Sequence, residues 1–189
     1  MTIASRRSGP TPTTHAGKIQ WRRFRLQFQS CRDGSAAIEF GLLALPFITL
    51  LVAILETALV FFAQQVLQTA SSQSARLIMT GQAQTQGMTG AQFQQAVCAN
   101  ASNMFDCTGL YVNVQTFASF GSIVSTPPLQ NGQFNTASMV FKPGNPGDIE
   151  VVQVYYNWPV ITGLPGLTLA NNGNNRLLVG TAVFRNEPY

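Results

Sequence analysis

The stretch from Phe40 to Ala63 restricts the possible folds more than anything else in the chain. No charged residue interrupts Phe40 to Leu55, and after Glu56 the apolar character resumes from Thr57 to Ala63. As a helix, about 24 residues span roughly 36 Å, enough to cross a hydrocarbon core of ~30 Å. A helix buried in a soluble core would also be apolar, but it would not follow a one-sided block of positive charge. Seven of the eleven basic residues (Arg6, Arg7, Lys18, Arg22, Arg23, Arg25 and Arg32) precede Gly34, with Asp33 the single acid among them. That bias predicts an N-terminus held in the cytoplasm and a body that faces outward, across the cytoplasmic membrane. The run is too long for the apolar region of a removable secretory signal, about 7–15 residues. Ala70-Ser71-Ser72, beyond the polar pair Gln64-Gln65, is a weak cleavage site, so an uncleaved anchor fits this stretch better.

From Ser35 onward four basic residues face six acidic ones, so the excess positive charge belongs to the leader and not to the body. Arg76, Lys142, Arg176 and Arg185 are widely spaced along the body, a pattern unlike a nucleic-acid interface. The chain of 189 residues suffices for one modest domain and an anchor. The division expected is a basic cytoplasmic leader over 1–34, the transmembrane part of a helix over 35–63, and a periplasmic domain over 64–189.

Residues 1–17, rich in Ser, Thr, Pro and Gly, read as disordered. In Lys18 to Arg32, Trp21, Phe24 and Phe28 alternate with arginines. This suits either a segment lying on an anionic inner surface or a plain basic flank. Past the membrane, Val66, Leu67, Ala70, Ser74, Leu77 and Ile78 recur at three- and four-residue steps, so the helix should continue with one apolar stripe. Such a stripe needs a cover, from its own domain or from a neighbouring subunit. Gly81 and the Gln/Gly-rich stretch to Gly87 should end the helix. Thr89 with Gln92 has the capping-box pattern, and Phe93, Ala96, Val97, Asn100 and Met104 follow at helical spacing, predicting a second helix. Strands are predicted over Leu110 to Phe117, Asp148 to Trp158 and Arg176 to Phe184. Between them lie two loops, Ser119 to Gly147 and Thr162 to Asn175, long enough to be functional surfaces or simply mobile. Two helices and then three strands without βαβ alternation predict an α+β fold with a roughly three-stranded antiparallel sheet covered by the first helix's stripe.

Cys31 falls on the cytoplasmic side and should stay reduced. Cys98 and Cys107 fall in the exported body; one continuous helix would hold them roughly 13 Å apart, too far for a bridge. A turn at Asn100 to Asn103 would bring them together, and an oxidising compartment would then favour a disulfide; two buried free thiols are the alternative. His15, the only histidine, lies across the membrane from both, which speaks against a metal site. For the same reason the body has no Ser-His or Cys-His pair, and no cofactor motif is visible. Asp148 and Glu150 share one face of a strand and read as exposed charge. The chain reads as non-enzymatic.

The junction Arg32-Asp33-Gly34-Ser35-Ala36-Ala37-Ile38-Glu39-Phe40 is the most informative segment. A glycine closes the basic leader, small residues follow, and an acid stands at the mouth of an apolar helix. Such an acid must be paired, hydrated or protonated. A plain anchor has no use for it, whereas a neighbouring subunit's cation would, including an amino terminus created by cleavage after Gly34. Pro46 removes one helical hydrogen bond, so a kink is expected. Glu56 lies roughly 31 Å along the helix from Ser35. It either snorkels into water or makes an assembly contact.

Gly-Ser-Ala-Ala-Ile-Glu-Phe resembles the type IVb prepilin junction, where a membrane aspartyl prepilin peptidase cuts after the glycine. With Pro46, Glu56, Gln64-Gln65 and Arg76, the segment from about Arg32 to Ile78 is similar to the TadE-like pseudopilins of tight-adherence (Tad/Flp) pili. The two body cysteines and the ending Val183 to Tyr189 resemble longer members more loosely. The resemblance implies a cleavage site at Gly34 and Ser35, and an assembly set of Glu39, Phe40 and Glu56. Glu39 would neutralise a subunit's amino terminus. It further implies the cytoplasmic membrane, the prepilin peptidase, other pilins and the Tad secretion machinery as partners, with no cofactor. The leader is long for such a precursor. The major subunits of these pili are very short, so a body of this size implies a minor pilin. An uncleaved, membrane-anchored periplasmic binding or envelope protein is the alternative.

Overall fold

The structure is a computed structural model that describes residues 33–101, 104–124, 128–131, 133–161 and 168–189. The basic leader with His15, Trp21, Phe24, Phe28 and Cys31 lies outside the described residues. Helix α1 (Asp33–Met79) is followed by a short helix α2 (Gln82–Thr85) and by α3 (Gly90–Asn100). The strands are β1 (Leu110–Phe117), β2 (Leu129–Gln130), β3 (Gln133–Phe134), β4 (Ile149–Pro159) and β5 (Asn175–Arg185). The chain forms two compact units, one to Thr49 and one from Leu50.

In the first unit the described residues are helical. Ile38, Phe40, Leu42, Leu43, Leu45, Phe47 and Ile48 are all exposed. A helix that is apolar all round is stable only when lipid or protein surrounds it. From Ala36 onward it is long and apolar enough to cross a membrane. The helix runs on through Pro46.

In the second unit β1, β4 and β5 form an antiparallel sheet with β4 at its centre. The α+β class and the three-stranded antiparallel sheet are those expected from the sequence, with strand limits displaced by at most a residue. On one face Leu110, Val114, Val152, Val154 and Leu178 meet Ala63, Leu67, Ala70 and Ile78 of α1 and Phe93 and Val97 of α3 in a single core. The stripe on α1 thus covers its own sheet. It begins earlier than the polar pair Gln64-Gln65, because Glu56 and Val60 are already buried.

Helix α3 opens with the expected capping box between Thr89 and Gln92. Helix α1 ends where Gly81 takes a left-handed φ of 75°, the usual device for stopping a helix. A side chain at Gly81 would also overlap the ring of Tyr189. The Gln/Gly-rich stretch that follows is not merely a terminator, since α2 forms within it.

The two long loops depart from expectation. The first contains the β2–β3 hairpin, which packs on the sheet's second face. The Phe134 ring lies 5.2 Å from Tyr111 and 5.7 Å from Tyr155. Asn172, in the described part of the second loop, accepts from Phe134 N at 3.0 Å and donates to Asn157 Oδ1 at 2.7 Å. Asn113 receives Val140 N at 3.0 Å. Asparagines thus pin both loops over β4, so that Val151 to Tyr155 are buried on both faces. Tyr155 is nearly inaccessible, and burial pushes its phenol up to about 12.

Candidate functional site

The junction singled out in the sequence sits at the start of α1. Gly34 is exposed, and a Cβ there would meet nothing within 4 Å. The Gly34–Ser35 bond lies in the first turn, where the amide groups have no intrahelical acceptor. Local unwinding into an extended protease substrate therefore costs least at this point of the helix. Glu39 is exposed, and Phe40 after it is 74 % exposed. The Glu39 carboxylate thus stands among the exposed apolar side chains Ile38, Phe40, Leu42 and Leu43.

Glu56 belongs to the second unit, apart from Glu39 and Phe40. It does not snorkel into water. It is 7 % exposed and accepts the backbone N–H of Ile161, just past the end of β4. The sequence placed Glu56 near the outer interface but held no sign of this partner, 105 residues away.

Below Glu56, α1 is joined to the free edge of β5 by two glutamine side chains. Gln64 donates to Val179 O at 2.8 Å and accepts from Val179 N at 3.3 Å. Gln68 repeats the pattern on Thr181, at 2.8 and 3.0 Å. Residues four apart on a helix stack on one face, and residues two apart on a strand present their backbone to one side. The two amides therefore complete the ladder as a further strand would, and the edge is covered. Gly180 lies between them, and a Cβ there would come within 2.8 Å of Leu67 O and 2.9 Å of Ser71 Cβ. The spacing of Gln64 and Gln68 beside the apolar stripe was the available sign of this clamp.

Cys98 and Cys107 form a disulfide with Cα atoms 5.5 Å apart. Helix α3 ends at Asn100, and the chain returns to a single 3-10 turn that Cys107 opens. The reversal is in the expected place, although Ser102 and Asn103 lie outside the described residues. Gln94 Nε2 donates to Cys107 O at 2.7 Å, and Asn100 Nδ2 donates to Ser74 Oγ at 3.0 Å, tying α3 to the 3-10 turn before β1 and to α1.

Asp148 and Glu150 are not an exposed pair. Asp148 precedes β4 and accepts from Asn145 N at 2.8 Å, whereas Glu150 is completely buried. Its Oε1 accepts from Gly144 N and from Asn186 Nδ2. Glu150 Oε2, Asn186 Oδ1 and Gln84 Oε1 find no donor. Burial raises the Glu150 carboxyl above its ordinary value near 4.5, against the lowering effect of the Asn186 and Gly144 donors. The folded chain therefore holds this proton more tightly than the unfolded chain does. Stability is greatest below the ordinary carboxylate value and falls as pH rises through the interval up to the folded value. Glu150→Gln keeps the acceptor for Gly144 and Asn186 and adds an N–H among the orphaned oxygens. It should flatten that slope and raise the melting temperature at neutral pH. Melting curves of both chains from acidic to neutral pH check this; an unchanged slope would mean that Glu150 does not titrate there.

Among the described residues no three His, Cys, Asp or Glu side chains gather as metal ligands. A family model described as TadE-like protein matches residues 34–76. That segment opens at the junction glycine and reaches beyond Gln64 and Gln68. Comparisons with curated proteins and with solved structures give no match.

Proposed function

We propose, on the premise that α1 carries a TadE-like segment over residues 34–76, that this chain is a minor pilin of a Tad/Flp (type IVb) pilus. In this reading a prepilin peptidase cuts after Gly34 and frees the amine of Ser35. The helix holds the precursor in the inner membrane, leader inside and body in the periplasm, until assembly. The carrying observation is the carboxylate of Glu39, exposed among apolar side chains five residues beyond the junction glycine.

The mechanism follows from the low polarity around α1. Holding a carboxylate at membrane depth is costly, and so is holding an ammonium group there. When the Ser35 amine of one subunit meets Glu39 of another, each removes the other's penalty, and the pair sets the axial register. The apolar surface carrying Phe40 exchanges lipid for neighbouring helices, so extraction leaves it covered. No catalytic group is needed, and the chain acts as a structural and adhesive component. The Gln64–Gln68 clamp and the disulfide make the body a rigid passenger on its helix. Deleting the coding region from a piliated strain should abolish or sharply reduce surface pili, with full recovery on supplying the intact chain. Normal piliation in the deletion strain would contradict the assignment.

A further inference from the structure

The folded unit has two chemically different ends. Helix α1 runs beside β5 in the same direction. Glu56 meets Ile161 at one end, Gln64 and Gln68 meet Val179 and Thr181 midway, and Met79 O accepts from Glu187 N at the other. At the Glu187 end lie Arg76, in the last turn of α1, with Asp148, Glu150 and Arg185 around the paired termini of β4 and β5. Away from that end the sequence carries no charge over 57–75 or over 151–175.

Large apolar side chains crowd the Glu56 end. Leu55, Leu59, Phe61 and Phe62 on α1 are 64 %, 53 %, 69 % and 57 % exposed, and Ile161 is 85 % exposed. Leu59, Phe61 and Phe62 continue the exposed surface of Leu50 to Leu55 without a break. The carboxylate in this neighbourhood, Glu56, is withdrawn onto the Ile161 amide. Arg176, paired with Trp158 near the start of β5, donates to Leu169 O at 3.2 Å. Asp106, next to the Phe105 ring that lies 6.0 Å edge-on from Trp158, has its oxygen engaged by Thr108.

We propose that this end of the domain is a lipid-contacting surface. Ile161 and the Leu59–Phe62 face of α1 lie in the interfacial layer of the membrane that α1 crosses, so the domain rests on the bilayer instead of standing off it. The hydrocarbon-spanning part of α1 then ends at Leu55, and Glu56 marks the boundary. Continuity with the spanning segment favours lipid over a second copy of the chain as the occupant, because the exposed apolar surface passes from one to the other with no polar gap. The proposal rests on α1 being a membrane-spanning helix.

The test uses the full chain in phosphatidylethanolamine/phosphatidylglycerol vesicles, in a Cys31→Ser background. An environment-sensitive fluorophore is attached at Ile161→Cys, at Glu187→Cys for the far end, or at Leu45→Cys within the span. The Ile161 probe should be blue-shifted and quenched by nitroxide lipids several-fold more strongly than the Glu187 probe, and it should be shielded from aqueous iodide. An Ile161 probe as open to iodide as the Glu187 probe, with the Leu45 probe still quenched from lipid, overturns this proposal alone. Failure of the Leu45 probe to respond to lipid quencher overturns the spanning helix and this proposal together. Shielding of Ile161 that vanishes on dilution to one chain per vesicle assigns the surface to a second copy and likewise overturns it.

Discussion

Replacing Glu39 by alanine is expected to leave membrane insertion and protein level unchanged while reducing surface pili to the level of the deletion strain. Insertion depends on the apolar run, which the substitution lengthens and makes more apolar. In the proposed mechanism assembly depends on pairing this carboxylate with an amine at membrane depth, so removing it would leave the amine's charge uncompensated. The penalty of an uncompensated charge, about 3–5 kcal/mol, corresponds to a loss of more than a hundredfold in the assembled fraction. Fractionation and electron microscopy of the same cells separate the two effects. Normal piliation would remove Glu39 from the assembly mechanism, and loss of the protein from the membrane would make its role one of insertion.

The largest change in stability is expected from Gly180→Val. Gly180 is where β5 comes closest to α1, with Leu67 O and the Ser71 side chain in the space that a Cβ would occupy. Valine suits a strand, so any loss must arise from the contact with the helix. Forcing the helix away would also stretch the Gln64 and Gln68 bonds to Val179 and Thr181. Overpacking costs about 1–3 kcal/mol, and stranded edge groups at a buried contact add to it. Denaturant unfolding of the body should show the loss. Hydrogen exchange at the Val179 and Thr181 amides should accelerate ahead of the β4 amides. Unchanged protection at those two positions would show that the glutamine clamp does not depend on the close approach.

Much of the body was legible because its signals are local. The capping box at Thr89 and Gln92 needs only four residues to be read, and the three main strands announce themselves by Val-rich runs between turn residues. The disulfide followed from two cysteines and a turn-prone stretch between them. What sequence reading missed depends on partners far along the chain. Glu150 looked like one of two exposed acids, but its partner Asn186 arrives from 36 residues away, directly after β5. The long loops read as functional surfaces or mobile segments, because nothing local marks Asn113 on β1 or Asn172 as the acceptors of Val140 N and Phe134 N. Glu56 showed its position in the helix, and only the fold brings Ile161 to it. The junction at Gly34 and Glu39 is different. Its meaning lies in chemistry at the membrane, and its residues were readable without any tertiary contact.

Intact-mass and N-terminal peptide mass spectrometry of the chain isolated from its native membrane tests the central claim most directly. The account predicts a chain beginning at Ser35 in cells with an active prepilin peptidase, and one that retains Gly34 and the basic leader when the peptidase is inactivated. A mature chain that keeps residues 1–34 in peptidase-competent cells would contradict it.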